Sequence, residues 1–198
     1  MFASAARRRL LQACAAGAVA IALGACGEGK PSFKGSDITG TKLGKDLALT
    51  DHNGTARTLK DFEGKVKVVF FGFTQCPDVC PTSLVELADV MKRLGPDADR
   101  VQVLLITVDP ERDTPEVLKQ YVTSFDPRFL ALTGNAEQIR KAAASFKAYY
   151  AKVPRKDGDY TMDHTAAFYL IDGKGDARVL ANNNIGAEAL AHDIKALF

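Results

Sequence analysis

The 198-residue chain carries 26 basic and 24 acidic side chains, giving a formal charge of +2, and it is 46% hydrophobic and 25% charged. This balance is that of a globular domain and excludes disordered and collagen-like chains. The small net charge gives no indication of a nucleic-acid binder. The four cysteines, Cys14, Cys26, Cys76 and Cys80, are too few for a disulfide scaffold. The length predicts one domain of about 150–170 residues and a short accessory segment.

The first residues have the pattern of an export signal. Residues 7–9 are three arginines, and residues 10–23 form an almost continuous apolar run. This run is shorter than the roughly 20 residues of a membrane-spanning helix, so residues 1–25 are predicted to be a signal peptide. The arginines also resemble a twin-arginine signal, which leaves the export route open.

The apolar run ends in the sequence Leu23-Gly24-Ala25-Cys26, which is similar to the lipobox of bacterial lipoproteins. Cleavage before Cys26 and lipidation of its thiol are therefore expected. The alternative is an ordinary cleavage site beside an unrelated cysteine. Removal of residues 1–25 takes away Cys14, three arginines and no acidic residue, which leaves 23 basic against 24 acidic side chains and a charge of −1.

Residues 26–40 are rich in glycine and are predicted to form a flexible tether. The folded domain is predicted to cover residues 41–198. No later apolar run is long enough to cross a bilayer, so a lipid on Cys26 is the only membrane attachment that we expect.

Hydrophobic periodicity and turn signals define the elements of this domain. They predict, in chain order, a hairpin (47–50 and 56–59), a strand (66–73), a helix (84–94), a strand (101–108), a helix from 115, a strand (129–132), a helix (135–146), a hairpin (166–171 and 178–181) and a C-terminal helix (190–197). Thr114 and Asn135 are predicted helix N-caps. This order describes an α/β domain with a mixed sheet flanked by helices, and it fits a thioredoxin-like fold with an N-terminal β-hairpin.

Cys76 and Cys80 lie between the predicted strand 66–73 and the following helix. Loops at the carboxyl ends of parallel strands commonly hold the functional residues of α/β folds, and a helix N-terminus lowers the pKa of nearby thiols. If the turn is helical, residues four apart share one face, with Cβ atoms about 5–6 Å apart. The two sulfurs are then suited either to one metal ion or to a disulfide.

Two other interpretations of the cysteine pair are weaker. A structural disulfide would close a short loop and so gain little stability, and two inert buried thiols do not suit the loop position. The cysteines alone leave redox activity and metal binding equally open.

A soft metal requires a further ligand, and the chain has three histidines. His52, in the Asn-Gly turn, and His192, off the apolar stripe of the last helix, are predicted to face solvent. His164 precedes the strand that begins at residue 166, where a thioredoxin-like fold normally places a cis-proline next to the helix N-terminus. It is the predicted third ligand, and Met162 is at least as well explained by packing.

Two thiolates and one imidazole form a soft set of three ligands that suits Cu(I) and can also hold Cu(II). Zinc would accept the same groups, but structural zinc sites usually have four ligands. The residue types therefore favour copper over zinc.

Three segments together resemble the signatures of the SCO/SenC family: residues 72–82 (GFTQCPDVCPT), 108–115 (VDPERDTP) and 163–165 (DHT). This family comprises thioredoxin-like copper proteins that assist assembly of the dinuclear copper centre of cytochrome c oxidase. The resemblance extends from about residue 47 to the C-terminus. It implies that Cys76, Cys80 and His164 bind copper and that the two cysteines cycle between dithiol and disulfide.

The resemblance also implies a place and partners. We expect a monomer at the periplasmic face of the bacterial inner membrane, held there by a lipid on Cys26. The expected partners are the copper-bearing subunit of cytochrome c oxidase and other periplasmic copper chaperones or thiol reductases. Asp109, Arg112 and Asp113 match the second signature, where contact with a partner and loop or helix-cap structure are equally open roles.

Copper delivery and thiol–disulfide exchange remain the two competing functions. A copper-free reductase of the oxidase cysteines would not need His164, so the histidine favours delivery. A peroxiredoxin-like peroxidase is disfavoured, because Phe73 and Pro77 stand where its motif requires Pro and Thr or Ser. Residues 149–163, with Lys152, Arg155 and Lys156, are interpreted either as a docking loop or as a solvated insertion.

Overall fold

The computed structural model describes residues 31–198. The signal peptide, the twin-arginine pattern, Cys14 and Cys26 lie outside the described residues. The strands are β1 (Ser36–Asp37), β2 (Leu49–Asp51), β3 (Ala56–Arg57), β4 (Val66–Gly72), β5 (Val101–Thr107), β6 (Leu130–Thr133), β7 (Tyr150–Pro154), β8 (Tyr160–His164), β9 (Ala167–Ile171) and β10 (Ala177–Asn182). The helices are α1 (Val79–Leu94), α2 (Pro115–Thr123), α3 (Ala136–Phe146) and α4 (Ala187–Lys195), with 3₁₀ turns at Leu59–Phe62 and Gly95–Arg100.

Eight strands form one mixed sheet in the order β1-β10-β9-β4-β5-β6-β2-β3. Strands β4, β5 and β6 are parallel, and the remaining pairs are antiparallel. The predicted first hairpin is present as β2 and β3 at the edge beyond β6, and the second is present as β9 and β10. Every predicted strand and helix is therefore present in the predicted order, and the strands β1, β7 and β8 are additional.

Strand β4 lies at the centre of the sheet and is buried along its whole length. Its Phe71 packs edge-on against Phe146 of α3, with ring centroids 5.5 Å apart, whereas Gly72 lies against Cys80 of α1. Adjacent residues of a strand point to opposite faces, so both faces of the sheet are covered by helices. This explains why the sequence of β4 is an apolar run rather than an alternating pattern.

Local capping fixes where two of the helices start. The Thr114 hydroxyl accepts a hydrogen bond from the backbone N–H of Val117 at the start of α2, and Pro115 occupies the first helical position. Asn135 forms a reciprocal capping box with Gln138 at the start of α3. Both predicted N-caps are confirmed.

Residues 149–163 are not a loop, because they contain the paired strands β7 and β8. The two strands pair antiparallel from Tyr150–His164 to Pro154–Tyr160 and form a separate two-stranded sheet. Arg155 lies at the tip of this hairpin, where it forms an ion pair with Asp157 at 3.2 Å. His164 is the last residue of β8 rather than part of a loop.

The start of the folded part also differs from the predicted boundary at residue 40. Strand β1 lies within the predicted tether and pairs with β10. Just before it, the buried carboxylate of Asp193 in α4 accepts hydrogen bonds from the backbone N–H groups of Lys34 and Gly35, both at 2.8 Å. Among residues 31–198, no helix is both long enough and apolar enough to cross a membrane.

Candidate metal centre

The site lies at the carboxyl ends of β4 and β5, where these parallel strands end in register at Gly72 and Thr107. The chain leaves β4, turns through Cys76 and enters α1 at Val79. Cys76 is half-buried and Cys80 fully buried, and both are free thiols. The predicted position at the strand-to-helix junction is correct, but Cys76 precedes the helix instead of belonging to it.

Three potential ligand atoms converge at this junction. The Sγ atoms of Cys76 and Cys80 and a ring nitrogen of His164 all lie within 4.8 Å of one another. The Cys80 Sγ is 3.5 Å from His164 Nε2, and the backbone N–H of Cys80 donates to the Cys76 Sγ at 3.4 Å. The structure thus brings together the three residues that the sequence singled out.

The His164 ring is oriented for ligation through Nε2. Its Nδ1 lies 3.2 Å from the carbonyl oxygen of Thr165, which can only accept a hydrogen bond. The proton is therefore assigned to Nδ1, which leaves the Nε2 lone pair directed at the sulfurs. Phe70 and Phe73 pack against the ring at 6.1 and 5.9 Å between centroids, both nearly perpendicular to it.

The pKa values of the two thiols are shifted in opposite directions. The hydrogen bond from the Cys80 thiol lowers the pKa of Cys76, against the effect of burial, and the backbone N–H groups of Asp78 and Cys80 lower it further. The same Cys80–Cys76 hydrogen bond, together with burial, raises the pKa of Cys80. The pair therefore loses one proton readily, from its more accessible sulfur, and retains the second.

The donor set fits a soft metal ion. Two sulfurs and one imidazole nitrogen are the ligands that Cu(I) prefers. Within residues 31–198, no further Cys, His, Asp or Glu side chain joins this cluster, so the four ligands typical of a structural zinc site are not assembled there.

The other sequence candidates lie apart from this cluster. His192 is exposed on α4, as predicted. The prediction for His52 is wrong: it is only 7% exposed, and its Nδ1 accepts a hydrogen bond from the N–H of Ala131 because β2 pairs with β6. Met162 is buried against the hydrophobic core, in line with a packing role.

The second sequence signature stabilises the cysteine loop from within. Asp113 is buried, and its carboxylate accepts hydrogen bonds from the backbone N–H and the hydroxyl of Thr74 and from the hydroxyl of Thr107. Burial raises the pKa of Asp113, and these hydrogen bonds oppose the rise. Asp113 thereby joins the loop after β4 to the end of β5.

The same signature also holds the hairpin that carries His164. The Tyr160 hydroxyl donates to Asp109 at 2.9 Å, and Arg112 donates to Asp109 and to the backbone oxygen of Tyr160. The Arg112 guanidinium and the Lys152 amine lie 3.7 and 3.9 Å from the centroid of the Tyr160 ring. We call Asp109, Arg112 and Tyr160 the hairpin brace. The sequence analysis singled out Asp109 and Arg112, but it did not identify Tyr160 as their partner, because this residue lies about 50 positions further along the chain.

Replacing Arg112 with glutamine is expected to destabilise the fold by about 2–4 kcal/mol, because it leaves the buried Asp109 carboxylate without its cation. Urea denaturation of the copper-free protein measures this loss. The matched control is Arg140→Gln, which breaks an exposed pair with Glu137 and should change stability by less than about 0.5 kcal/mol. Equal effects of the two substitutions would show that the hairpin brace is not a buried interaction.

Gly72 leaves room for the Cys80 sulfur. A Cβ at this position would lie 3.0 Å from Cys80 Sγ and 3.1 Å from side-chain atoms of Leu105 and Phe70. Gly72→Ala is therefore expected to displace the sulfur and to destabilise the fold by about 1–3 kcal/mol. Urea denaturation and Cu(I) titration test both effects. Gly173→Ala, whose Cβ would meet nothing closer than 3.5 Å, should alter neither, and a neutral Gly72→Ala would contradict the packing argument.

Comparison of the chain with known proteins identifies its family. The SCO1/SenC family model matches residues 36–198. The SCO2-like protein of Rickettsia felis is 42% identical over 136 residues, which are 68% of this chain and 66% of that protein. The chain thus spans just under two-thirds of the length of this curated relative.

Two solved structures share the fold. ScoI of Bradyrhizobium japonicum, with copper bound, is 48% identical with a TM-score of 0.73, over 79% of this chain and 99% of that one. BsSco is 26% identical with a TM-score of 0.64, over 81% of this chain and 95% of that one. It is a member of the Sco family of cytochrome c oxidase assembly proteins in which a disulfide switch has been identified. The thioredoxin-like fold is confirmed, and the chain belongs to the SCO1/SenC family.

Proposed function

We propose that this protein binds copper at Cys76, Cys80 and His164 and delivers it to the dinuclear copper centre of cytochrome c oxidase. The observation that carries the proposal is the convergence of two sulfurs and one imidazole nitrogen within 4.8 Å. Copper in the related ScoI and the family membership of the chain support this metal and this pathway.

Each ligand has a separate task in this proposal. Cys80 is fully buried in α1 and forms the fixed inner ligand. His164 is held in one orientation by Thr165 and by two phenylalanine rings. Cys76 is the more accessible of the two site sulfurs and the first of them to lose its proton, so a thiolate of the acceptor can replace it first. Copper then passes by ligand exchange without being released into water.

A second candidate function is reduction of the cysteines in the oxidase copper site. The observation that favours it is the lowered pKa of Cys76, which is caused mainly by the hydrogen bond from Cys80. The Cys76 thiolate would attack an acceptor disulfide and form a mixed disulfide, releasing one acceptor thiolate. Cys80 would then displace the second acceptor thiol. The acceptor gains two electrons, and Cys76 and Cys80 become a disulfide.

Transfer to a purified oxidase copper domain distinguishes the two functions. The reduced protein, loaded with Cu(I) under anaerobic conditions, is mixed with the metal-free dithiol domain, and copper uptake is followed by absorbance. Delivery predicts that the domain gains copper at the expense of this protein. Reduction alone predicts that no copper is transferred. It predicts instead that the copper-free protein converts the disulfide form of the domain to the dithiol.

We also propose that the protein acts as a monomer anchored by lipidated Cys26 at the periplasmic face of the inner membrane. Its partners there would be the copper-bearing oxidase subunit and periplasmic copper chaperones or thiol reductases. The lipobox-like sequence supports the anchor. Cys26→Ser should move the protein from the membrane fraction to the soluble fraction after export, and retention in the membrane would contradict a lipid anchor.

A further inference from the structure

A cavity of about 570 Å³ lies at the amino end of β4, the opposite end of this strand from the metal centre. Seven residues of extended chain separate the two regions by about 20 Å. The cavity is lined by Lys45, Leu47, Thr58, Leu59, Lys60, Glu63, Lys67, Gly173, Lys174 and Gly175.

The lining is strongly basic, with four lysines against the single carboxylate of Glu63. Lys45 pairs with Asp176 at 2.8 Å. Within residues 31–198, no carboxylate oxygen lies within the 4.0 Å ion-pair distance of the amines of Lys60, Lys67 or Lys174. The cavity therefore carries an excess of positive charge that its own walls do not neutralise.

Lys67 is the unusual member, because it lies within the central strand and is 0% exposed. Its amine donates to the backbone carbonyl oxygen of Asp172. The Asp172 carboxylate is committed elsewhere, to Arg178 at 3.0 Å and to the backbone N–H groups of Lys174 and Asp176. Burial lowers the pKa of this amine, and the charge of nearby carboxylates opposes that shift, so an anion in the cavity would stabilise the ammonium form further.

We propose that this cavity binds an oxyanion of the phosphate class, with Lys67 at its floor and Lys45, Lys60 and Lys174 at its rim. The three rim lysines are exposed, and their flexible side chains can converge on a bound anion as point charges. Two sources share this chemistry: a free phosphate compound and the headgroup of an anionic phospholipid. In the second case the headgroup would hold the domain with its metal centre turned away from the bilayer.

The first test is calorimetric titration of the copper-free full chain with inorganic pyrophosphate. We expect saturable binding that weakens by about tenfold in the double variant Lys60→Gln/Lys174→Gln, and a weaker affinity also in Lys67→Met, which removes the buried positive charge at the cavity floor. Lys119→Gln, an exposed lysine on α2, is the matched control and should leave binding unchanged. The double variant alters only exposed side chains, so its result stands even if Lys67→Met fails to fold.

The second test compares vesicles of phosphatidylglycerol with vesicles of phosphatidylcholine, using the same full-length proteins. The apolar N-terminal segment contributes to binding of both vesicles, so the informative quantity is the preference for the anionic lipid. Loss of this preference in the double variant identifies the headgroup as ligand. An unchanged preference, with pyrophosphate binding weakened, identifies a free oxyanion. The proposal is overturned if neither pyrophosphate affinity nor lipid preference depends on Lys60 and Lys174.

Discussion

Replacing His164 with alanine is expected to weaken Cu(I) binding by more than about 100-fold, while Cys76 and Cys80 continue to cycle between dithiol and disulfide. Loss of a residue that only hydrogen-bonds to a metal ligand lowers metal affinity by about 10–100-fold, and loss of a ligand itself should lower it further. The redox cycle needs only the two sulfurs, and the hydrogen bond from Cys80, which is the main cause of the lowered pKa of Cys76, does not involve the imidazole. Competition titration with a Cu(I) chelator and thiol counting after oxidation measure the two properties separately.

The control for this substitution is His192→Ala, which removes an exposed histidine from α4 and should change neither property. Wild-type copper stoichiometry and spectrum in the His164 variant would show that the site does not use three ligands. Loss of redox cycling together with copper binding would mean that the substitution has disturbed the cysteine loop as a whole.

Cys76→Ser and Cys80→Ser are each expected to abolish both tight copper binding and redox cycling. A serine hydroxyl remains protonated at neutral pH and is a hard donor, so one sulfur and one imidazole are left for a soft ion. A single thiol cannot form the intramolecular disulfide. Cu(I) titration and thiol counting after oxidation measure the two consequences, and oxidase maturation in cells lacking the wild-type protein measures their effect on function.

Cys80→Ser also places a hydroxyl in a fully buried position, so its folding is checked by thermal unfolding. Ser83→Ala is the matched control one turn along α1. The buried Ser83 hydroxyl has no hydrogen-bond partner among residues 31–198, so its removal should be neutral or stabilising. A single-cysteine variant that still matures the oxidase would rule out both delivery and reduction as described.

The central layers of the fold were predictable because their patterns are local. The apolar run of β4 indicates a strand buried on both faces, and the caps Thr114 and Asn135 mark helix starts through hydrogen bonds three residues away. Strand β1 was not predictable, because two polar residues become a strand only by pairing with β10.

The hairpin of β7 and β8 was missed for a related reason. An isolated two-stranded hairpin is marginally stable, so its own sequence carries little signal. Here Tyr160 of β8 is held by Asp109 and Arg112 of a distant loop, a contact that the sequence of the hairpin does not reveal. His52 shows the same limitation, since its burial depends on the pairing of β2 with β6.

Most of the candidate site could be predicted, because chemistry restricted the choice of residues. The two cysteines follow a strand and open a helix, and of the three histidines only His164 is placed to face them. What the sequence could not supply was the support of these ligands, namely the Thr165 carbonyl behind His164 and Asp113 beneath the cysteine loop. These contacts join residues that are far apart in sequence or have no distinctive pattern.

X-ray absorption spectroscopy of the reduced full chain, loaded anaerobically with one equivalent of Cu(I), tests the central claim most directly. Coordination by Cys76, Cys80 and His164 predicts a first shell of two sulfurs and one imidazole nitrogen in the wild type. The same measurement on His164→Ala should lose the nitrogen and keep the sulfurs. A wild-type shell of sulfur alone, unchanged by the substitution, would contradict the three-ligand copper site.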